Sequence, residues 1–529
     1  MAQFVNAATD ANPRTINRLI KTIVFAGGLT SIGIELSASR LIAPYFGDST
    51  FIWANLIGLT MLYLSLGYAI GGRVADRYPQ PEVLCLLTAL AGFTAGVIPI
   101  VAHPILQVSL DAFDSVSIGA FYGSLLGVLL LFAIPITLIG FVSPFALRLL
   151  VRDVATAGHT SGGLSAVSTF GAIAGSFLPV LILIPLVGTA KTFYILSIGM
   201  MAISAAGLLI LRSPRGAVIA SSLVGLLLVI IGIFGGGRIK PPYEGTLVYE
   251  TESQYNYIQV LEDNGEYLLA LNEGQAIHSV YNPNSILTGG PWDFFTVGPL
   301  FSESFNPANV HSAAIVGLAG GTAARELSVA YPGVAIDGIE IDGKIAELGK
   351  RYFGLDTVPK LNLIIEDGRY YLNRTQNRYD IVAVDAFDQP YIPFQLTTTE
   401  FFQTVAAHLN PGGAAVINVG RTETDFRLID VISSTMREVF PYVFAIDVPG
   451  YNNTMLVGLS SPASIDAFAH NAEQLPSDSI ARQVADSSIA HGNIRPGPSG
   501  GEVFTDDHAP VELVTDLLIL DAAREGDSP

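Results

Sequence analysis

The sequence predicts two unlike halves: a multi-pass α-helical membrane domain, then a small β-domain leading into a doubly wound α/β domain. Three observations carry this reading. Residues 1–240 hold repeated apolar runs of bilayer length, the acidic residues gather almost wholly beyond them, and from about residue 312 strand-length apolar stretches alternate with helical patterns. A chain of 529 residues is also too long for one ordinary domain.

A helix needs about 20 mainly apolar residues to cross the hydrocarbon core of a bilayer. Seven segments qualify, roughly 19–43, 51–71, 83–103, 119–140, 164–187, 192–211 and 217–236. A cleaved signal peptide does not account for them, because the later runs are too many and too long. Basic residues cluster before the first run (Arg14, Arg18, Lys21), after the second (Arg73, Arg77), after the fourth (Arg148, Arg152) and after the sixth (Arg212, Arg215). Excess positive charge stays in the cytoplasm, so the amino terminus is expected there. Seven crossings would leave the second half outside, whereas Arg238 and Lys240 just past the last run favour the cytoplasm. The count therefore stays open at six to eight spans. Glu35 and Arg40 lie within or near the end of the first span, where ionisable residues are either paired or functional. The run Gly71-Gly72-Arg73-Val74-Ala75-Asp76-Arg77 resembles the cytoplasmic loop motif of major facilitator transporters and supports the same orientation.

The charge split separates the halves. Residues 1–240 carry 13 Lys/Arg and 8 Asp/Glu, and residues 241–529 carry 14 Lys/Arg and 38 Asp/Glu. A surplus of 24 negative charges in the second half repels phosphates and argues against nucleic acid. It suits a cationic substrate, or simply a solvated acidic surface. The single Cys85 lies in an apolar run, so neither a disulfide framework nor thiolate chemistry is expected, and no metal site is expected either.

The expected domains are 1–240 (membrane, about seven spans), 241–290 (small β-domain), 291–462 (doubly wound domain) and 463–529 (carboxy-terminal extension). In the β-domain, Leu247–Tyr249, Tyr257–Val260 and Tyr267–Leu271 read as strands, with Asp263-Asn264-Gly265 as a hairpin turn. Pro291–Phe301 reads as a connecting helix. Further strands are expected near 312–317, 334–340, 361–365, 380–385, 413–419, 442–447 and 454–459, with helices near 322–330, 343–353, 398–408 and 424–438. Pro411-Gly412-Gly413 reads as the turn after a helix ending at Leu409-Asn410. Beyond about 462 the tail is polar and has little periodicity before Val511–Leu520.

Four signals then fall in one order. The strand ending at Val316 runs into Gly317-Leu318-Ala319-Gly320-Gly321-Thr322, whose glycines admit a close ligand and whose following helix offers free N–H groups. Glu340 ends the second strand some twenty residues on, where an acid accepts from ribose hydroxyls, and Asp367-Gly368 ends the third. Asp385 and Asp388 follow the fourth, placed to draw a cation and take a proton from an amine. Each acid alone reads equally as a loop cap or turn residue; their joint spacing favours a site.

In this order of motifs, residues 245–460 resemble the spermidine synthase (polyamine aminopropyltransferase) family, and its membrane-fused branch in particular. The resemblance implies a class I methyltransferase-like Rossmann fold behind a small amino-terminal β-domain. It implies transfer of an aminopropyl group from decarboxylated S-adenosylmethionine to putrescine or a related amine, with release of methylthioadenosine and no prosthetic group. Gly317, Gly320, Gly321, Glu340, Asp367 and Gly368 would then hold the cosubstrate, Glu340 at the ribose and Asp367 at the adenine. Asp385 would be the catalytic acid/base, and Asp388, Asp293 and Gln259 would bind the amine. The chain departs from the family in two places. Gly320 stands where the family carries the Asp of its glycine turn, and Pro291-Trp292-Asp293 stands for Tyr-His-Glu. The expected protein is a multi-pass cell-membrane enzyme with a cytoplasmic catalytic domain and is a candidate homo-oligomer. A methyltransferase using S-adenosylmethionine on the same fold, or a polyamine transporter or sensor, are the alternatives.

Overall fold

The computed structural model describes residues 12–46, 50–111, 119–214, 244–272, 276–387 and 391–525, with scattered positions between 218 and 242. The chain divides into two compact units, one of Met1–Pro241 with Thr251–Tyr257, the other of Pro242–Glu250 with Ile258–Pro529.

In the first unit, α1 (Pro13–Phe46), α2 (Thr50–Arg77), α3 (Pro81–Asp111), α4 (Gly119–Gly140), α5 (Val142–Leu150), α6 (Ala157–Leu178) and α7 (Thr189–Ile210) follow one another. Six helical segments among the described residues are long and apolar enough to cross a membrane: Pro13–Phe46, Ile52–Arg77, Pro81–Ser109, Tyr122–Leu150, Val154–Val187 and Thr189–Ile210. They coincide with six of the seven expected spans; the seventh, 217–236, lies largely outside the described residues.

Lipid tails are as apolar as leucine, so helices in a membrane associate by close packing of small residues. An added Cβ at Gly171 or Gly175 of α6 would fall 2.1 and 2.3 Å from the carbonyl oxygens of Phe25 and Leu29 on α1. One at Gly28 would fall 2.2 Å from that of Ser168. The two helices therefore cross backbone against backbone. Gly67 and Gly140 do the same for α2 and α4, with a Cβ at Gly67 only 2.3 Å from the Thr137 carbonyl. Glu35 is buried. Asp76, in the last turn of α2 rather than in a loop, takes the Arg148 guanidinium at 2.9 Å.

The second unit has two sheets. β1 (Thr246–Glu252), β2 (Tyr257–Asp263), β3 (Glu266–Leu271) and β4 (Ile277–Tyr281) form a four-stranded sheet in sequence order. Ile258, Val260, Leu269 and Leu271 bury their side chains against Ile345, Leu348 and Phe353. The main sheet comprises β5 (Ser312–Val316), β6 (Ala335–Glu340), β7 (Leu361–Ile365), β8 (Tyr379–Val384), β9 (Leu409–Gly420), β10 (Tyr442–Asp447), β11 (Asn453–Leu459) and β12 (Ile494–Pro496), in the order β12-β10-β11-β9-β8-β5-β6-β7. Strands β5 to β9 run parallel and the rest antiparallel. The helices are α8 (Thr322–Ala330), α9 (Gly343–Tyr352), α10 (Gly368–Arg374), α11 (Thr399–Ala407), α12 (Arg427–Arg437), α13 (Ile465–Gln474), α14 (Ile480–His491) and α15 (Val511–Glu525). The strand order reverses between β5 and β8, and ligands of open α/β sheets bind outside the carboxyl ends at such a switch point.

Three expectations need correction. The tail past 462 is not irregular: α13 and α14 bury Phe468, Ala472, Ala481, Val484 and Ala485, and Phe468 tilts against Phe301 at 4.6 Å. Small alanines carry most of that contact, which is why hydropathy hid it. Asp506 of the tail takes a two-pronged bond from Arg369 at 2.7 and 2.6 Å. Pro411–Gly413 is not a turn but part of β9, where a bulge opposite Tyr379 and Ile381 takes up the positive φ of Gly412. Pro291–Phe301 forms two 3₁₀ turns, Pro291–Thr296 and Gly298–Phe301, because Pro299 interrupts any regular helix.

The glycine crossing makes a testable point. Gly→Ala in an open helix position stabilises by roughly 0.5–1 kcal/mol. Gly199→Ala, which meets nothing within 4 Å, should hold or raise the unfolding temperature of the full chain in detergent, whereas Gly171→Ala should lower it by several degrees. Equal behaviour of the two would contradict the backbone crossing.

Candidate active site

The switch point assembles the candidate residues. Register pairs Val316 with Val384, and the Asp385 amide donates to the Val316 carbonyl at 2.8 Å, so the turn after β5 meets the end of β8. Gly317 has φ +86°, and a Cβ there would lie 2.6–2.7 Å from the backbone of Asp385 and Ala386. Only glycine lets the two loops touch in this way. Gly321 is likewise left-handed (φ +99°), as is Ala319 (φ +48°), an uncommon conformation for a residue with a Cβ. Gly368 opens α10, and an added Cβ would sit 2.4 Å from Val316 Cγ1.

Glu340 ends β6 with 6% exposure. Its Oε2 accepts from the Ala319 amide at 2.8 Å and its Oε1 from the Asp342 amide at 2.9 Å. Burial pushes its carboxyl up to about 7, and these amides hold it back from going further. Each oxygen keeps a second lone pair that could take a ribose hydroxyl. Asp367 at the end of β7 is half-buried and caps α10, its Oδ1 accepting from the Tyr370 amide at 2.8 Å.

Asp385 is partly accessible yet packed about by protein. Its Oδ1 accepts from Asn418 Nδ2 at 2.9 Å, and Asn418 is itself oriented by Asn453 Nδ2 at 2.9 Å. The Trp292 side chain also favours the ionised form. Desolvation outweighs both and pushes the carboxyl up to about 7, so the group can take and release a proton near neutrality.

The structure thus brings together Gly317, Gly320, Gly321, Glu340, Gly368 and Asp385 around the ends of β5, β6 and β8, with Asp367 at the end of β7. Asp388 lies outside the described residues. Gln259 is buried in β2 of the small sheet. Asp293 is 4% exposed and its oxygens are taken by the Thr288 amide (3.0 Å), the Thr288 hydroxyl (2.8 Å) and the Gly289 amide (3.0 Å). Gly320 is enclosed: its amide donates to Ser279 Oγ at 2.8 Å, and a Cβ would fall 2.9 Å from Ser279 Cβ and 3.1 Å from Phe353 Cγ. Thr322 clamps the same turn to Val280 through its hydroxyl. Sequence reasoning missed Trp292, Asn418 and Asn453. Two of them left a signal: Trp292 is one of two tryptophans, and Asn418 is a lone amide in the apolar run Ala414–Val419.

Residues 297–464 match the spermine/spermidine synthase domain. A probable polyamine aminopropyl transferase of Bifidobacterium longum is 32% identical over 300 residues, covering 53% of this chain and 66% of that one. This chain carries a spermine/spermidine synthase domain. It spans just under two thirds of that relative's length. A polyamine aminopropyltransferase of Vibrio vulnificus is 29% identical over 243 residues, covering 44% of this chain and 79% of that one. Among solved structures, a probable spermidine synthase from Corynebacterium glutamicum covers 49% of this chain and 96% of its own, with 21% identity and a TM-score of 0.41.

Two outcomes follow for this spermidine synthase homologue. A carboxyl whose folded pKa is raised contributes stability fully present below its unfolded value, near 4, and lost as pH rises through about 7. Asp385→Asn removes the cost of ionising that site. It should therefore raise the unfolding temperature at pH 8 relative to wild type, with the difference fading toward pH 4; a constant difference would contradict the assignment. Gly320→Asp, which restores the family residue, should destabilise the fold by about 1–3 kcal/mol through overpacking. Ser279→Gly in the same chain should recover part of the loss, as read by thermal unfolding.

Proposed function

We propose that this chain is a membrane-anchored polyamine aminopropyltransferase with its catalytic unit in the cytoplasm. It would use decarboxylated S-adenosylmethionine and a putrescine-like amine. The observation that carries the reading is Asp385: a carboxyl with near-neutral proton affinity, at the sheet's switch point, pressed against a glycine turn and flanked by the buried acid Glu340. The match of residues 297–464 to the spermine/spermidine synthase domain supports the same chemistry. In this reading Glu340 holds the ribose, Asp367 the adenine amino group, and the glycine turn the rest of the nucleoside. Asp388, Asp293 and Gln259 are assigned to the amine.

The amine reaches the site as an ammonium ion and must lose a proton before it can attack. Asp385 takes that proton. The freed lone pair forms a bond to the carbon beside the sulfonium, the carbon–sulfur bond breaks with its electrons going to sulfur, and methylthioadenosine leaves. No redox partner is needed. Positioning the two reactants in line supplies much of the rate.

The enclosure of Gly320 supports one competing reading. The family's acid at this position is replaced by Ser279 and Phe353 packed against a glycine, which favours a donor whose ammonium is accompanied by a carboxylate that such an acid would repel, as in intact S-adenosylmethionine. The products separate the two: methylthioadenosine from aminopropyl transfer, S-adenosylhomocysteine from methyl transfer. Incubating the purified protein with each donor and a panel of diamines should release methylthioadenosine from the decarboxylated donor alone. Release of S-adenosylhomocysteine alone would overturn the proposal. Because the base must be ionised, kcat/KM should rise with pH through about 7, and Asp385→Asn should lower kcat at least about a hundredfold with little change in donor affinity.

A further inference from the structure

Arg369 lies in the first turn of α10, two residues past Asp367 and next to Gly368, whose close approach to Val316 sets the helix end against the root of the glycine turn. Its guanidinium reaches two separate segments. Nη1 donates to the Gln395 carbonyl at 3.0 Å, and Nη1 and Nη2 grip the two oxygens of Asp506 at 2.7 and 2.6 Å. A forked pair of this kind fixes direction as well as distance. The Arg369 side chain is 18% exposed, so the pair is not one of the fully solvated ones that contribute little.

Asp506 is itself held in place. The Thr398 hydroxyl donates to its Oδ1 at 2.7 Å, and its amide donates to Glu400 Oε2 at 3.0 Å. Two residues earlier, the buried Phe504 accepts the Thr399 amide on its carbonyl at 2.9 Å. Farther along, Asp516 of α15 accepts from the Tyr391 hydroxyl at 2.7 Å. Phe504, Val511 and Leu518 of the tail share one apolar core with Ile392 and Leu396. The tail thus anchors Tyr391–Thr399, which leads from the Asp385 loop into α11. The Arg369 guanidinium holds the Asp506 carboxyl below the usual carboxylate range, so the pair stays charged at neutral pH.

Arg369 is therefore a link between two parts that bound the site: the end of α10 beside Asp367, and the segment downstream of Asp385. Its partner Asp506 lies beyond the residues 297–464 that match the synthase domain. We propose that Arg369 and Asp506 are positioning residues for the nucleoside end of the site: the forked pair fixes the start of α10, and with it Asp367, against the segment that follows Asp385. The Asp367 bond to the Tyr370 amide sets its direction within α10, and the clamp sets where that helix end stands. The carboxy-terminal tail then belongs to the site. The role rests on the reading of these strand ends as a nucleoside site.

Calorimetric titration of the full-length protein in detergent tests this, with methylthioadenosine and, separately, S-adenosylhomocysteine as probes. Both carry adenosine, so one of them reports whichever donor the chain uses. Asp506→Asn and Arg369→Gln should each weaken the nucleoside that wild type binds by about tenfold. The double variant should lose no more than the worse single one, because either change opens the same fork. Arg369→Lys keeps the charge without the fork and should not restore affinity. Asp507→Ala, at the exposed neighbouring residue, should bind as wild type does. Unchanged affinity in Asp506→Asn overturns the proposal, as do losses that multiply in the double variant or a full rescue by lysine. Should Arg369→Gln fail to fold, Asp506→Asn decides alone, since that side chain is 45% exposed. A wild type that binds S-adenosylhomocysteine but not methylthioadenosine would refute aminopropyl transfer, and the variants would then decide the clamp on that ligand. Binding of neither nucleoside by wild type would refute both readings.

Discussion

Burying a carboxylate costs several kcal/mol unless hydrogen bonds offset the lost water, and the catalytic unit is organised around that constraint at three strand ends. Glu340 takes two backbone amides, Asp367 takes the first-turn amide of its own helix, and Asp385 takes Asn418. Each compensation is partial for the two buried acids. Burial still wins at Glu340 and Asp385, which leaves both with proton affinities near neutrality. In the proposed reaction, a site that receives a proton and holds a polar nucleoside profits from that incomplete balance.

The donors explain parts of the fold that otherwise look peripheral. The parallel strands β5 to β8 supply the acids, but Asn418 comes from β9 and Asn453 from the antiparallel strand β11, so the antiparallel edge serves to orient the Asp385 carboxyl. The small sheet does the same for the glycine turn. Ser279 and Val280 of β4 bind Gly320 and Thr322, fixing a loop whose left-handed residues would otherwise be poorly determined.

Local signals in the sequence were read correctly wherever the interaction was local. Strand periodicity located β5 to β8 and β10 to within a residue, and the spacing of Glu340 from Gly317 follows from one βαβ unit. Distance in sequence hid the rest. Trp292 and Asn418 stand 93 and 33 residues from Asp385, and nothing in their neighbourhoods names it as a partner. The tail helices escaped because alanines rather than large apolar residues fill their contacts. The packing of Ser279 and Phe353 against Gly320 is equally non-local. A missing acid is visible in a sequence; what occupies its place is visible only in three dimensions.

The central claim is that Asp385 is a desolvated carboxyl poised near neutrality, and infrared difference spectroscopy tests it without substrate. Subtracting the pH titration of Asp385→Asn from that of the wild-type chain isolates the protonated-carboxyl band of this one group. The account predicts that the band disappears with a midpoint near 7. A midpoint near 4, the value of a solvated aspartate, would contradict it.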